Sequence, residues 1–130
     1  MVPIKRLKEI IKIENLICVN EDTPVREVSR LFRERDISSV PVVTRNKELS
    51  GIISKKDIVN VTETEDFSKL RAKDIMNKSV EYVKADDHVE IAIRLFTERS
   101  FQLLPVVKGK TLVGCITRKE ILSACSGEYY

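Results

Sequence analysis

Tryptophan is absent from this 130-residue chain, and aromatic residues make up only 5% of it. So few rings offer no stacking platform for single-stranded nucleic acid. Histidine occurs once, as His88, beside Asp86 and Asp87. One imidazole with two adjacent acids lacks the convergent spacing of a metal site, so these acids are read as helix N-terminal caps. The three cysteines, Cys18, Cys115 and Cys125, show no CxxC spacing. An odd, unpatterned set points to buried free thiols in a reducing, cytoplasmic compartment. None has a motif-level histidine partner, so none is a candidate nucleophile. No uncharged apolar run approaches the ~20 residues that cross a bilayer. Met1-Val2-Pro3-Ile4-Lys5-Arg6 lacks the long apolar core of a signal peptide.

What is present is the composition of a soluble globular protein, 42% hydrophobic and 33% charged. Lys and Arg exceed Asp and Glu by 23 − 20, a net charge of +3. That balance permits anionic ligands without demanding nucleic acid. The length suits one compact domain or two small fused ones.

Self-comparison separates these two possibilities. Leu16–Val43 laid on Val80–Val107 pairs Val19 with Val83, Asp22 with Asp86, Val25 with Val89 and Arg30 with Arg94. The identities continue as Leu31/Leu95, Phe32/Phe96, Glu34/Glu98, Arg35/Arg99, Pro41/Pro105, Val42/Val106 and Val43/Val107. After a one-residue deletion the register resumes at Gly51/Gly114. The chain is therefore two copies of one unit.

Hydrophobic periodicity predicts the same elements in each copy. Ile4, Leu7, Ile10 and Ile11 form the stripe of a leading helix over 4–11. In the first copy, Leu16–Val19 is a strand. Thr23 caps a helix that has Pro24 at its first position and ends near Arg35. Val40–Thr44 is a strand, Arg45–Glu48 a hairpin turn, Leu49–Ser54 a strand and Lys55–Val61 a helix. An acidic linker, Thr62–Phe67, leads into a partly helical Phe67–Met76. The second copy repeats the order: strand Val80–Val83, helix Asp87–Arg99, strand Leu103–Val107, turn Lys108–Lys110, strand Leu112–Ile116 and helix Arg118–Cys125. The order per unit is β-α-β-β-α. The expected organisation is a first unit over 1–62 with its leading helix, a linker and lead-in over 63–78, a second unit over 79–125 and a loose tail, 126–130. A three-stranded sheet with two helices leaves one sheet face partly bare. Packing the two bare faces about a pseudo-twofold axis would cover them and leave a cleft suited to a ligand. Pro41 and Pro105 suit strand starts or edges, where a missing N–H costs least.

Two junctions carry the candidate chemistry. Gly51-Ile52-Ile53-Ser54-Lys55-Lys56-Asp57 and Gly114-Cys115-Ile116-Thr117-Arg118-Lys119-Glu120 each run from strand to helix. Each sets a hydroxyl at the turn, two cations in the first helical turn and an acid three residues after the hydroxyl. Helix N-termini offer unpaired N–H groups and partial positive charge, which suits phosphate. Cations there oppose the helix dipole, and an anionic ligand would offset that. The bland reading is a capping box, in which Ser54 and Thr117 cap while Asp57 and Glu120 bond back. Glu fits that box better than Asp. Glu120 is therefore read as a cap and Asp57 as a ligand contact.

Two β-α-β-β-α units, each with an apolar-Pro-Val-Val strand and a Gly-x-Ile-Ser/Thr-x-x-acid junction, resemble tandem cystathionine-β-synthase (CBS) domains, a Bateman module. Lys73-Asp74-Ile75-Met76 also resembles the family's usual lead-in. The resemblance implies an α/β regulatory sensor, not an enzyme. It requires no cofactor and binds AMP, ADP, ATP or S-adenosylmethionine in an interdomain cleft. It also implies a disc-shaped homodimer acting on an unknown regulated protein. The acid would take the ribose hydroxyls, while the hydroxyl and nearby cations meet phosphate. Residue by residue, one cleft would use Ser54, Lys55 and Asp57 facing Ser79, Val80, Glu81 and Gln102. The other would use Thr117, Arg118 and Glu120 facing Asn15, Leu16, Ile17, Ser38 and Ser39. Ser38-Ser39 and Gln102-Leu103 stand where the family often has a basic residue or histidine. Phosphate binding would then rest on lysines elsewhere, or the ligand would be S-adenosylmethionine. A ligand-free interaction scaffold and a nucleic-acid accessory protein are the remaining alternatives.

Overall fold

A computed structural model describes residues 5–11, 16–64 and 66–125. It contains two three-stranded sheets and five α-helices in a mixed α/β architecture. The elements run β1 (Val19–Asn20), α1 (Val25–Arg35), β2 (Ser39–Val43), β3 (Leu49–Ser54), α2 (Lys55–Val59), α3 (Ala72–Ile75), β4 (Val83–Lys84), α4 (Val89–Glu98), β5 (Leu104–Lys108), β6 (Thr111–Ile116) and α5 (Arg118–Cys125). Single 3-10 turns occupy Leu7–Glu9 and Phe67–Lys69. Two compact units result, one built around 17–80 and the other around 81–125 together with the leading segment.

Within the 17–80 unit the strand order is β1-β2-β3, with β1 parallel and β3 antiparallel to β2. The hairpin β2–β3 turns through Lys47 at φ 63. Its register sets Val40 opposite Ile53 and Val42 opposite Gly51. Val40, Val42 and Ile53 are fully buried, and Val25, Val28 and Phe32 of α1 close over them. Those three sit at helical spacing on α1, so burying one face fixes the helix against the sheet. Pro41 lies in the middle strand, not at an edge. Its partner Ile52 turns its own N–H and C=O outward to Asn77 (2.8–3.0 Å). The imide nitrogen therefore faces the β1 side, where pairing begins only at Val42.

The 81–125 unit repeats this plan, with order β4-β5-β6 and Leu104, Val106 and Ile116 at the centre. The leading segment belongs here, which corrects its expected place with the first copy. Leu7 and Ile10 are buried in this core. The backbone explains the docking. Leu7 N–H donates to Asp87 O (2.9 Å), Lys8 N–H to Ala85 O (2.9 Å), and Val89 N–H to Lys5 O (2.7 Å). The lead-in of the second copy does the same to the first. Ala72 N–H donates to Thr23 O (2.8 Å), Lys73 N–H to Glu21 O (3.0 Å), and Val25 N–H to Leu70 O (3.0 Å). Each lead-in thus completes the other copy. Even the ion pairs match, Lys8 with Asp86 at 2.9 Å and Lys73 with Asp22 at 3.2 Å. A shift of 71 − 6 = 65 aligns Arg6 with Arg71, Lys8 with Lys73 and Ile10 with Ile75. That alignment was the available sequence signal.

Several expected boundaries move for the same reason. Thr23 does not cap α1; its Oγ1 accepts from Asn20 N–H (3.1 Å), while Leu70 O takes the helix's first N–H. The stretch 67–76 is broken at Leu70–Arg71, because Arg71 bridges to Pro24. The leading helix shortens to one 3-10 turn among the described residues. β1 and β4 are two residues long, pairing Val19 and Asn20 with Val42 and Val43, and Val83 and Lys84 with Val106 and Val107. Residues 126–130 lie outside the described residues.

The two lead-ins press on the two junction glycines. A Cβ at Gly51 would lie 2.6 Å from Met76 Sδ, 2.7 Å from its Cγ and 3.0 Å from its Cβ, and one at Gly114 would lie 2.9 Å from Ile11 Cδ1 and 3.0 Å from its Cβ. Methionine is unbranched and swings aside, whereas isoleucine is stiff at χ1. Gly114→Ala is therefore expected to cost ~1–3 kcal/mol through overpacking, and Gly51→Ala less. Urea melts of the two variants check this. An equal or larger loss at Gly51 would contradict it.

Candidate functional site

The strand-to-helix junctions form as the sequence indicates. β3 ends at Ser54 and α2 starts at Lys55. Ser54 is extended, at φ −110 and ψ 167, so the chain turns sharply from sheet to helix. Both its backbone N–H (2.8 Å) and its hydroxyl (3.0 Å) donate to Asp57 Oδ2. Asp57 is half-buried, and its Oδ1 stands outside this pair of bonds. The twin is closely similar. Thr117 N–H (3.1 Å) and the Thr117 hydroxyl donate to Glu120 Oε2. The difference expected between the two acids is thus not a difference in geometry. Each bonds back to its own helix start, because an acid three residues into a helix faces the N-cap.

Ser38 and Ser39 lie beside Ser54 and Lys55 within the 17–80 unit. Ser39 pairs with Ser54 across the β2–β3 ladder, and Ser38 O accepts the Lys55 N–H (3.1 Å). Antiparallel pairing forces this, since the residues preceding β2 must meet the residues following β3. Ser54, Lys55, Asp57, Ser38, Ser39, Ile17, Ser79 and Val80 share the 17–80 unit. Thr117, Arg118, Glu120, Glu81, Gln102 and Leu16 share the other. Ser79 N–H bonds Asn77 Oδ1 (3.0 Å), and the Glu81 carboxylate is engaged by Arg99. Gln102 is exposed, and Asn15 lies outside the described residues.

This geometry limits what the junction offers an anion. The N–H groups of Ser54 and Lys55 are already spent on Asp57 and Ser38. Any phosphate near Ser54 would have to rely on side chains, of which Lys55 and Lys56 are exposed. Arg118 and Lys119 are exposed at the twin junction. Both Ser54 bonds end on Asp57 Oδ2, so Oδ1 takes part in neither, and the exposed Lys55 and Lys56 stand in the same helical turn. A carboxylate oxygen accepts hydrogen bonds from hydroxyl groups such as a sugar's.

The remaining candidates are quickly placed. Asp86 does not cap α4. It pairs with Lys8, whose ammonium holds its carboxyl below the usual carboxylate range. Asp87 Oδ2 accepts from Lys84 N–H (2.9 Å), closing the turn before α4. His88 is exposed and bridges to Arg6. No cluster that could hold a metal ion occurs among the described residues. Cys18 is exposed rather than buried, since it precedes the β1 ladder, and Cys115 is half-buried. Desolvation nonetheless raises the Cys18 thiol pKa, opposed by Lys47. The Cys125 side chain lies outside the described residues. No described helix is long and apolar enough to cross a membrane.

Paired β-α-β-β-α units with twinned hydroxyl-x-x-acid junctions define a tandem repeat of one module rather than two unrelated domains. The CBS domain family model matches twice, at residues 7–63 and 72–127. The chain belongs to the CBS domain family, as a tandem pair. It is 30% identical to an uncharacterised protein of Methanocaldococcus jannaschii, covering 91% of this chain and 89% of that one. It is 33% identical to inosine-5'-monophosphate dehydrogenase of the same organism, over 92% of this chain but only 23% of the enzyme. It spans 34% of an uncharacterised Thermofilum pendens protein at 32% identity, over 80% of this chain. Among solved structures, CBSX2 in complex with AMP superposes with a TM-score of 0.82 at 26% identity, covering 96% of this chain and 98% of that one. CBSX2 is a CBS-pair protein of Arabidopsis thaliana. A CBS pair in complex with methylthioadenosine and S-adenosylmethionine gives 0.75 at 24% identity, covering 97% and 99%.

Proposed function

We propose that the chain is a regulatory module for an adenosine-containing ligand, AMP, ADP or ATP, with Ser54, Lys55 and Asp57 as its principal half-site. The observation that carries this reading is the free oxygen of Asp57. The capping bonds converge on Oδ2, so Oδ1 is available to accept from the ribose hydroxyls without unmaking the helix start. Lys55 and Lys56 supply charge for phosphate. AMP bound to CBSX2, a relative of matching fold, supports the choice of ligand class. The equivalent half-site, Thr117, Arg118 and Glu120, is the weaker partner in this reading, as the sequence suggested. Ligand binding alters a homodimer or a separate regulated protein through unequal affinity for two arrangements.

S-adenosylmethionine is the second reading. Its support is that Ser54 and Lys55 N–H groups are already bonded and that Ser38-Ser39 supply no cation. A thermal-shift panel of AMP, ADP, ATP and S-adenosylmethionine tests both. A ligand at ~100 times its Kd adds ~2.7 kcal/mol of stability, a shift of several degrees. A shift with AMP, ADP or ATP supports the first reading, and one with S-adenosylmethionine alone supports the second. No shift with any of the four removes both and leaves the interaction scaffold.

A further inference from the structure

Arg26, Arg30 and Arg33 line one face of α1 and belong to no motif of the family resemblance. They border a cavity of about 220 Å³ together with Ser29 and Phe67. At i, i+4 and i+7 the three side chains are stacked neighbours, with Cβ atoms ~5–6 Å apart. None of the three has an ion-pair or side-chain hydrogen-bond partner among the described residues. Glu27 and Glu34 lie on the same helix at pairing distance in sequence, yet neither forms an ion pair with them. Three guanidinium groups held close together, with no carboxylate partner among the described residues, repel one another, and that is offset when an anion sits between them. The second copy does not repeat the arrangement. Its matching positions are Glu90, Arg94 and Thr97, so the cationic face is not a by-product of the repeat.

We propose that this face of α1 is a second ligand site, separate from the Ser54/Asp57 junction, and that it takes a small anion with two linked phosphates. At about 220 Å³ the cavity admits a small ligand. That is the scale of a diphosphate, not of a folded macromolecule. Arginine's planar fork suits phosphate oxygens bidentately. Ser29 adds a hydroxyl donor at the cavity wall. A neighbouring cavity of about 420 Å³ shares Ser29 and Arg33 and is walled by Phe32, Ile58 and Val59. Asp36 and Lys55 both line that second cavity, so their charges offset each other there, whereas the lining of the arginine end includes no acid.

Calorimetric titration of the full chain with inorganic pyrophosphate at low ionic strength tests the site, because pyrophosphate has no ribose for Asp57. Saturable binding is expected. Arg30→Gln and Arg33→Gln should each weaken it about tenfold, the ratio equivalent to ~1.4 kcal/mol, with helix propensity nearly unchanged. Arg45→Gln, an equal charge change in an exposed turn, should leave it within about twofold. Asp57→Ala should also leave it unchanged, so failure of the junction reading and failure of this one are distinguishable. Absence of saturable binding overturns the proposal, and so does equal weakening by Arg45→Gln, which would mean diffuse charge. Light scattering gives a third outcome against it. If the doubly substituted chain, Arg30→Gln with Arg33→Gln, has a smaller assembled mass than the parent, the face is occupied by a second copy.

Discussion

Leu7→Ala is expected to lower stability by ~2–5 kcal/mol, the range for emptying a fully buried leucine site. Leu7 is 0% exposed and packs with Val83, Val89, Leu104 and Ile116. The loss should be confined to the unit around 81–125. Native-state hydrogen exchange reads this directly. Amides of β5 and β6 should lose protection, while those of β2 and β3 keep theirs. The mirror variant Ala72→Gly should open β2 and β3, because Ala72 occupies the matching buried position in the other unit. Equal loss of protection in both sheets on Leu7→Ala would contradict the exchange of lead-ins. A surface change in the same segment, Lys8→Ala, removes only an exposed ion pair and should cost less than ~1 kcal/mol.

Asp57→Ala is expected to weaken nucleotide binding well over tenfold while costing the fold only the value of a cap, ~1 kcal/mol. Hydrogen bonds to a charged group are worth ~1.5–3 kcal/mol each. Losing both ribose contacts should therefore weaken AMP binding well over tenfold. Glu120→Ala makes the same cut at the twin site, where the bonds to Thr117 match those of Asp57 to Ser54. It should melt earlier by a similar amount and bind AMP nearly as well. Titration of AMP into both variants, beside their melting curves, separates the two roles. If Asp57→Ala melts earlier but binds AMP as tightly as the parent, Asp57 is a cap and nothing more.

Much of the fold was legible because its signals are local. The continuous apolar run Val40–Val43 and the apolar stretch Leu49–Ser54, joined by the polar Arg45–Glu48, specify a hairpin whose partners are a few residues apart. The hydroxyl and acid at Ser54/Asp57 and Thr117/Glu120 meet across one helical turn, so their bonding needs nothing from the rest of the chain. The stripe of Val25, Val28 and Phe32 orients α1 for the same reason. Even the equal geometry of the two acids follows from a three-residue spacing that an extra methylene does not alter.

What the local signals could not reach was decided by tertiary contacts. An amphipathic segment such as 4–11 announces that it must bury one face, not which core will receive it. Leu7 and Ile10 found theirs in the second copy because Ala85 and Asp87 offered carbonyl acceptors there. Arg71 could be seen as helical by composition, yet its bridge to Pro24 breaks the helix at that point. The position of Ser38 beside Lys55, the exposure of Cys18 and the arginine face of α1, unpaired among the described residues, depend likewise on which elements become neighbours. By itself the sequence determined the repeat, the elements and the two junctions, since short-range spacing and periodicity encode them. Only the tertiary structure decided which copy each lead-in completes and which of the described charges pair, since those depend on contacts between residues far apart in the chain.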